Sequence, residues 1–256
     1  MKNFKNYWLD VNVLPSREEL GKTAGMDIEK KIIELLAIKP EIRMIFAAAP
    51  SQNETLDYLA GSDKIEWKRI TAFDMDEYIG LKDNAPQLFS SYLDGRLFSK
   101  VSCKNVHYIK SNGGPAGEIK RYSALIAEAP IDIVCLGIGE NGHIAFNDPS
   151  VADFHDPEII KEVKLDMESR LQQVNEKCFS RLEDVPERAL TLTVPVLMNA
   201  DFLFCMVPGK SKQNAVHNTL NLPVTEECPA TILQQHSNCK FYFDADSFLF
   251  QPAKQV

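Results

Sequence analysis

The chain has 256 residues, 45% hydrophobic and 25% charged, the balance of an ordinary globular protein long enough to bury its own core. No apolar run approaches the roughly 20 residues that span a bilayer, and the N-terminal MKNFKNYWLDVNV has no apolar signal core, so neither a membrane partner nor secretion is expected and a cytoplasmic setting is. The formal net charge is −8 and the 28 Lys and Arg form no dense run, which argues against a nucleic-acid partner but not against a small anionic substrate.

In chain order, 6–13 is a candidate first strand. Ser16 and Glu19 then read as a capping box opening a helix that ends before Pro40. The apolar run 41–48 reads as a strand, followed by helical spacing at 51–60 and a strand at 67–74. Helical spacing returns at 86–99, 117–128, 166–180 and 210–219. Strands are expected at 131–137, 190–194, 201–207 and 240–244. Several of these strands are apolar almost throughout, as strands covered on both faces are. The β-α-β-α order predicts an α/β fold with a mostly parallel sheet. No repeat and no Pro/Gly/Ser-rich linker interrupts it, so residues 1–256 read as one domain. The six cysteines include no CxxC pair and read as buried, reduced thiols.

In open parallel sheets, ligands bind beyond the carboxyl ends of the strands. Four segments there carry chemistry. In 132–149, DIVCLGIGENGHIAFNDP, an apolar strand runs into Gly137, Gly139 and Gly142, which permit close backbone approach to a ligand, and then into His143. Asn141 and Asp148 flank His143 and can orient it. The GxGxxG spacing is present, but Pro149 stops a helix early, so a dinucleotide site is disfavoured. In TAFDMDEYIG, Asp74, Asp76 and Glu77 lie beside apolar residues, where a carboxylate can serve as a general base. The plain alternative is a solvated acidic loop. In AAAPSQNET, Ser51 can cap a helix whose first N–H groups suit a phosphate, or can be an ordinary cap. In MVPGKSKQN, Lys210 and Lys212 open a helix and can meet a phosphate dianion, or simply be exposed.

Together, DMDEYIGL (74–81) and GIGENGHIAFNDP (137–149) resemble the glucosamine-6-phosphate deaminase/isomerase family, a relative of the 6-phosphogluconolactonases. SSYLDGRLFSKV, VPERALTLTVPVLMNAD, VPGKSK and CPATILQQH support the resemblance in order and spacing. It implies a modified doubly wound α/β fold with helices on both faces of the sheet. The implied activity is aldose–ketose isomerisation of a hexosamine 6-phosphate with release of ammonia, without metal or redox cofactor. Carried over by motif, the C2 base falls on Asp76 and the ring-opening histidine on His143, tuned by Asn141 and Asp148. Substrate contacts fall on Gly139, Gly142, Lys212 and the phosphate loop Ser51, Gln52 and Asn53. Arg170 and Lys177 are the candidates for a second phosphate-binding cation.

The family's usual Thr-Gly-Ser-Thr-Pro phosphate loop is replaced by Ala49-Pro50-Ser51-Gln52-Asn53. The stretch that forms the allosteric site of regulated members is replaced by Val151 to Lys164, so activation by N-acetylglucosamine 6-phosphate is not expected. Glucosamine 6-phosphate is the first-choice substrate. The alternatives are galactosamine 6-phosphate, 6-phosphogluconolactone hydrolysis, and a non-catalytic sugar-phosphate sensor. Assembly into a homo-oligomer is left open.

Overall fold

The protein is described here by a computed structural model covering residues 2–4 and 9–248. Strands β1 (Lys2–Phe4) and β2 (Asp10–Leu14) precede the long helix α1 (Arg17–Leu36). Strand β2 takes the place of the expected 6–13 strand, whose positions 6–8 lie outside the described residues. Ser16 Oγ accepts the Glu19 N–H at 3.3 Å, so the predicted cap starts α1. Leu20, Ala24, Ile28 and Ile32 recur on its buried face.

Strand β3 (Ile42–Phe46), helix α2 (Asn53–Gly61), strand β4 (Ile70–Asp74) and strand β5 (Asp76–Tyr78) follow. Next come α3 (Phe89–Leu93), β6 (Asn105–His107), α4 (Pro115–Ala127) and β7 (Ile133–Leu136). The C-terminal part holds β8 (Ile160–Lys164), α5 (Met167–Asn175), β9 (Arg188–Leu192), α6 (Val194–Met198), β10 (Phe202–Val207), α7 (Gln213–Asn221) and β11 (Cys239–Asp244).

The main sheet has the order β1-β2-β11-β10-β7-β3-β4-β6, and every pair but β1–β2 is parallel. The α/β expectation therefore holds. Alternation along each strand divides the interior into two cores. Met44, Phe46, Cys135, Met206 and Tyr242 face one core with α1 and α2. Ile45, Val134, Leu136, Cys205 and Phe243 face the other with α4, α6 and α7. Helices thus cover both faces.

Three sequence readings change. The run 190–194 belongs to β9, which lies not in the parallel sheet but in a three-stranded antiparallel sheet ordered β5-β9-β8. The acidic stretch is not a loop, because Asp76–Tyr78 is the strand β5 that pairs with β9. The 86–99 helix is also shorter than expected: α3 passes into a wider π turn at Asp94–Phe98. Strand β8 reads IKEVK and β6 is three residues long, too polar or too brief to show in the sequence. Cys135, Cys205, Cys228 and Cys239 are buried as expected, whereas Cys103 and Cys178 are half-buried. Among the described residues, no helix is long and apolar enough to cross a membrane.

Candidate active site

Strand order reverses direction between β3 and β7, which places a crevice beyond their carboxyl ends. Four strand-end segments converge there. Ala47–Ser51 follows β3, Met75 and Asp76 join β4 to β5, Gly137–Gly139 and His143 follow β7, and Lys212 follows β10. They enclose a cavity of about 60 Å³, with Phe89 and Phe146 as apolar walls. A larger cavity of about 740 Å³ lies beyond Glu77, between Tyr108, Lys110 and Arg121. Its Arg121 is committed to Glu118 and to the Tyr108 carbonyl, and none of the residues singled out for chemistry except Glu77 reaches it. The smaller cavity is therefore where the residues singled out for chemistry meet.

The three acids of 74–77 have separate fates. Asp74 accepts the Ile109 N–H at 3.1 Å and the Tyr122 hydroxyl at 2.8 Å. Glu77 accepts the N–H groups of Tyr78, Phe89 and Ser90 at 2.9–3.0 Å and the Ser90 hydroxyl at 2.8 Å, so it secures the start of α3. Asp76 alone lines the cavity, 7% exposed, and accepts no hydrogen bond among the described residues. Burial, and then the neighbouring Glu77 charge, push its carboxyl well above the usual carboxylate range. A carboxylate in this state has a raised affinity for a proton and free lone pairs to take one.

The glycine loop sets His143 by direct contact. A Cβ on Gly139 would lie 2.1–2.3 Å from the imidazole ring, so the ring packs where only glycine leaves room. Gly142 has φ +86° and would meet Cys228 Sγ at 2.6 Å, which makes glycine necessary on both counts. His143 Nδ1 lies 2.7 Å from Asn141 Oδ1 and 3.0 Å from Asp148 Oδ1. The Asn141 amide nitrogen donates to Asp148 Oδ1 at 3.0 Å, which identifies its oxygen as the atom facing His143. The two nearest neighbours of Nδ1 are acceptors, and the Ser169 hydroxyl at 3.5 Å can accept as well, so Nδ1 carries the proton and Nε2 is left as the basic nitrogen. Burial raises the Asp148 carboxyl, but hydrogen bonds from His143, Asn141 and the Asp166 N–H outweigh it and hold the group below its ordinary value.

The phosphate side differs from the sequence expectation. Pro50 has no N–H, and the 3₁₀ turn Pro50–Gln52 uses the Gln52 N–H on Ala49 O and the Asn53 N–H on Pro50 O. The Gln52 side chain is buried against the Leu136 and Met206 carbonyls, and Asn53 takes a hydrogen bond from the Tyr92 hydroxyl. Of Ser51, Gln52 and Asn53, only Ser51 lines the cavity, beside Ala49. Arg170 does not reach it either, because its guanidinium donates to the Leu182 and Val185 carbonyls at 2.9 Å. Lys177 is exposed and outside the lining. Gly142 shapes the loop from behind and does not line the cavity.

Lys212 does reach the cavity, 4% exposed, and its Nζ lies 3.2 Å from Glu176 Oε1. Glu176, Gln172 and Gln173 drew no attention in the sequence, since α5 shows only helical spacing there. Asn147 was also unassigned. Its amide donates to the Ile144 and Leu192 carbonyls and holds the turn after His143.

The sequence model of the family described as glucosamine-6-phosphate isomerases/6-phosphogluconolactonase matches residues 15–242. A glucosamine-6-phosphate deaminase of Exiguobacterium sibiricum is 35% identical over 197 residues, 76% of either chain. One of Listeria monocytogenes is 33% identical over 228 residues, 89% of this chain and 95% of its own. Among solved structures, a monomeric glucosamine-6-phosphate deaminase superposes with a TM-score of 0.85 at 27% identity, covering 93% of this chain and 98% of its own. The 6-phosphogluconolactonase of Thermotoga maritima shares the fold, with a TM-score of 0.76 at 20% identity over 92% of this chain and 99% of its own.

Proposed function

We propose that this chain, which belongs to the glucosamine-6-phosphate isomerase/6-phosphogluconolactonase family, converts glucosamine 6-phosphate and water into fructose 6-phosphate and ammonia. The observation that carries the reading is Asp76: a buried carboxylate with no hydrogen-bond partner, in the same cavity as a histidine whose Nδ1 is tied down. Isomerisation needs a group that takes a proton from carbon, and hydrolysis of a lactone does not. An unpaired buried carboxylate costs stability, and its retention fits the first reaction better.

The roles follow from the geometry. His143 Nε2 takes the proton of the anomeric hydroxyl and delivers it to the ring oxygen as the C1–O5 bond breaks. Asp148 and Asn141 fix the tautomer and stabilise the imidazolium that forms in between. Asp76 then takes the C2 proton of the open chain and returns it to C1, while the aldehyde oxygen gains a proton and the amino nitrogen gives one up, which leaves a hydroxyl at C1 and an imine at C2. Water adds to C2, and ammonia leaves as the ketone forms. Lys212 and Ser51 hold the phosphate. Both sheets contribute to this one cavity, which supports reading residues 1–256 as a single unit. Six free cysteines favour a reducing, cytoplasmic setting.

The test is ammonia release from glucosamine 6-phosphate and galactosamine 6-phosphate, run beside hydrolysis of 6-phosphogluconolactone. Glucosamine 6-phosphate should give the highest kcat/KM. Turnover of the lactone alone would overturn the assignment.

A further inference from the structure

Glu176 sits at the C-terminal cap of α5. The Lys177 N–H bonds Val174 O at 3.0 Å and the Cys178 N–H bonds Gln173 O at 2.9 Å, with Lys177 at φ +62°. These bonds close a Schellman motif that fixes where the Glu176 backbone lies. The negative end of a helix is a poor place for a carboxylate. Lys212 stands in the mirror situation, at the N-terminal cap of α7, the positive end of that helix. Each charge is badly placed with respect to its own helix, and what compensates both is their 3.2 Å contact.

The rest of the contact is incomplete. Glu176 Oε1 also accepts the Gln172 amide at 2.8 Å, while Oε2 is buried with no hydrogen-bond partner among the described residues. Gln172 in turn accepts the Glu140 N–H at 2.8 Å, so the contact ties α5 to the His143 loop. The cavity beneath holds about 60 Å³, well under the roughly 300–1,000 Å³ typical of small-molecule sites.

We propose that the Glu176 carboxylate occupies the anion seat of Lys212 in the substrate-free protein, and that the substrate's phosphate takes this seat by displacing it. The inference rests on the function proposed above for its substrate but concerns a residue with no role in that chemistry. A dianion and a carboxylate cannot share one ammonium in a buried site without strong repulsion. The carboxylate must also reach Lys212 from the unfavourable end of its own helix. Glu176 therefore acts as an internal competitor. It keeps Lys212 in place, and it sets how tightly a phosphorylated ligand must bind to enter.

Inorganic phosphate is the probe, titrated calorimetrically into wild type, Glu176→Gln and Glu176→Ala, each also combined with Lys212→Met. Glu176→Gln keeps the shape and removes the charge. It should bind phosphate roughly tenfold more tightly or better, the scale of one charge-assisted hydrogen bond. The KM for glucosamine 6-phosphate should fall by a similar factor while kcat changes little, and Glu176→Ala should move the same way. Lys212→Met should erase the gain in either background. Unchanged or weaker phosphate binding in both Glu176 variants would overturn the proposal and make Glu176 a positioning residue for Lys212. Tighter phosphate binding with no ammonia release by the wild type would instead sink the proposed activity and leave the role of Glu176 standing.

Discussion

Asp76 and Asp148 are both buried around the pocket that holds His143, one at the β4–β5 corner and the other at the end of the glycine loop. Burial pushes both carboxyls upward, yet they end on opposite sides of the ordinary value. Asp148 accepts hydrogen bonds or charge from His143, Asn141 and the Asp166 N–H, and these outweigh desolvation. Asp76 has no such partner among the described residues, and the like charge of Glu77 pushes it further up. Residue type and burial are the same in the two places. The partners decide which carboxylate holds another group in place and which remains able to take a proton.

The largest expected effect tests the free carboxylate. Asp76→Asn should lower kcat by roughly 10²–10⁴-fold and abolish exchange of the C2 proton with solvent, read by NMR in D₂O. The same change should stabilise the fold. A carboxyl whose folded pKa is raised favours the folded state below its unfolded pKa and loses that advantage as pH rises. The Asn variant should therefore unfold later in urea at pH 7, by roughly 1–3 kcal/mol, with the gain fading as pH falls toward about 4, the unfolded value. A destabilised Asp76→Asn would mean that the carboxylate has a partner and that the contrast is false.

His143→Gln should cost about 10²-fold in kcat on the cyclic sugar, the lower range of general acid–base effects. The loss should be smaller where open-chain substrate is supplied. Equal losses on both forms would move His143 away from ring opening and detach Asp148 from the chemistry.

Asp148→Asn should show the opposite stability sign to Asp76→Asn. A depressed carboxyl contributes stability above its unfolded pKa and loses it as pH falls through the folded value. The variant should be less stable at pH 7 by roughly 1.5–3 kcal/mol, the range for hydrogen bonds to a charged group, and should converge on wild type in acid. Urea melts of both aspartate variants from neutral pH down into acid give the comparison directly.

The smallest effect probes the loop that holds the partnered side. Gly142→Ala should cost roughly 1–2 kcal/mol for its left-handed backbone, plus a clash with Cys228 Sγ. Adding Cys228→Ala should recover the clash and not the backbone cost, as a double-mutant cycle would show.

Much of this was legible in the chain. The near-continuous apolar runs at 41–48, 131–137 and 201–207 became β3, β7 and β10, because a strand covered on both faces needs no polar side. The pairing of a glycine loop with His143, Asn141 and Asp148 was also legible, since all four features lie within one short segment and local contacts follow local sequence. The placement of Asp76 was only half legible. Three acids stood together, and nothing in their order said which would go unpartnered. That was settled by distant residues: Tyr122 and Ile109 claim Asp74, and Phe89 and Ser90 claim Glu77.

By itself, then, the sequence determined most strands and helices of the main sheet, the sheet class, the loop around His143 and the family, all of which depend on periodicity or on residues close in the chain. The tertiary structure decided what depends on meetings across the fold. It moved 190–194 into a second sheet and reduced the Ser51–Asn53 loop to one cavity-facing serine. It also turned Arg170 toward backbone carbonyls and set Glu176 against Lys212. A charged or amide side chain takes whichever partner the packed chain brings within about 3 Å, and that choice is made only when α5, the glycine loop and the start of α7 are brought together.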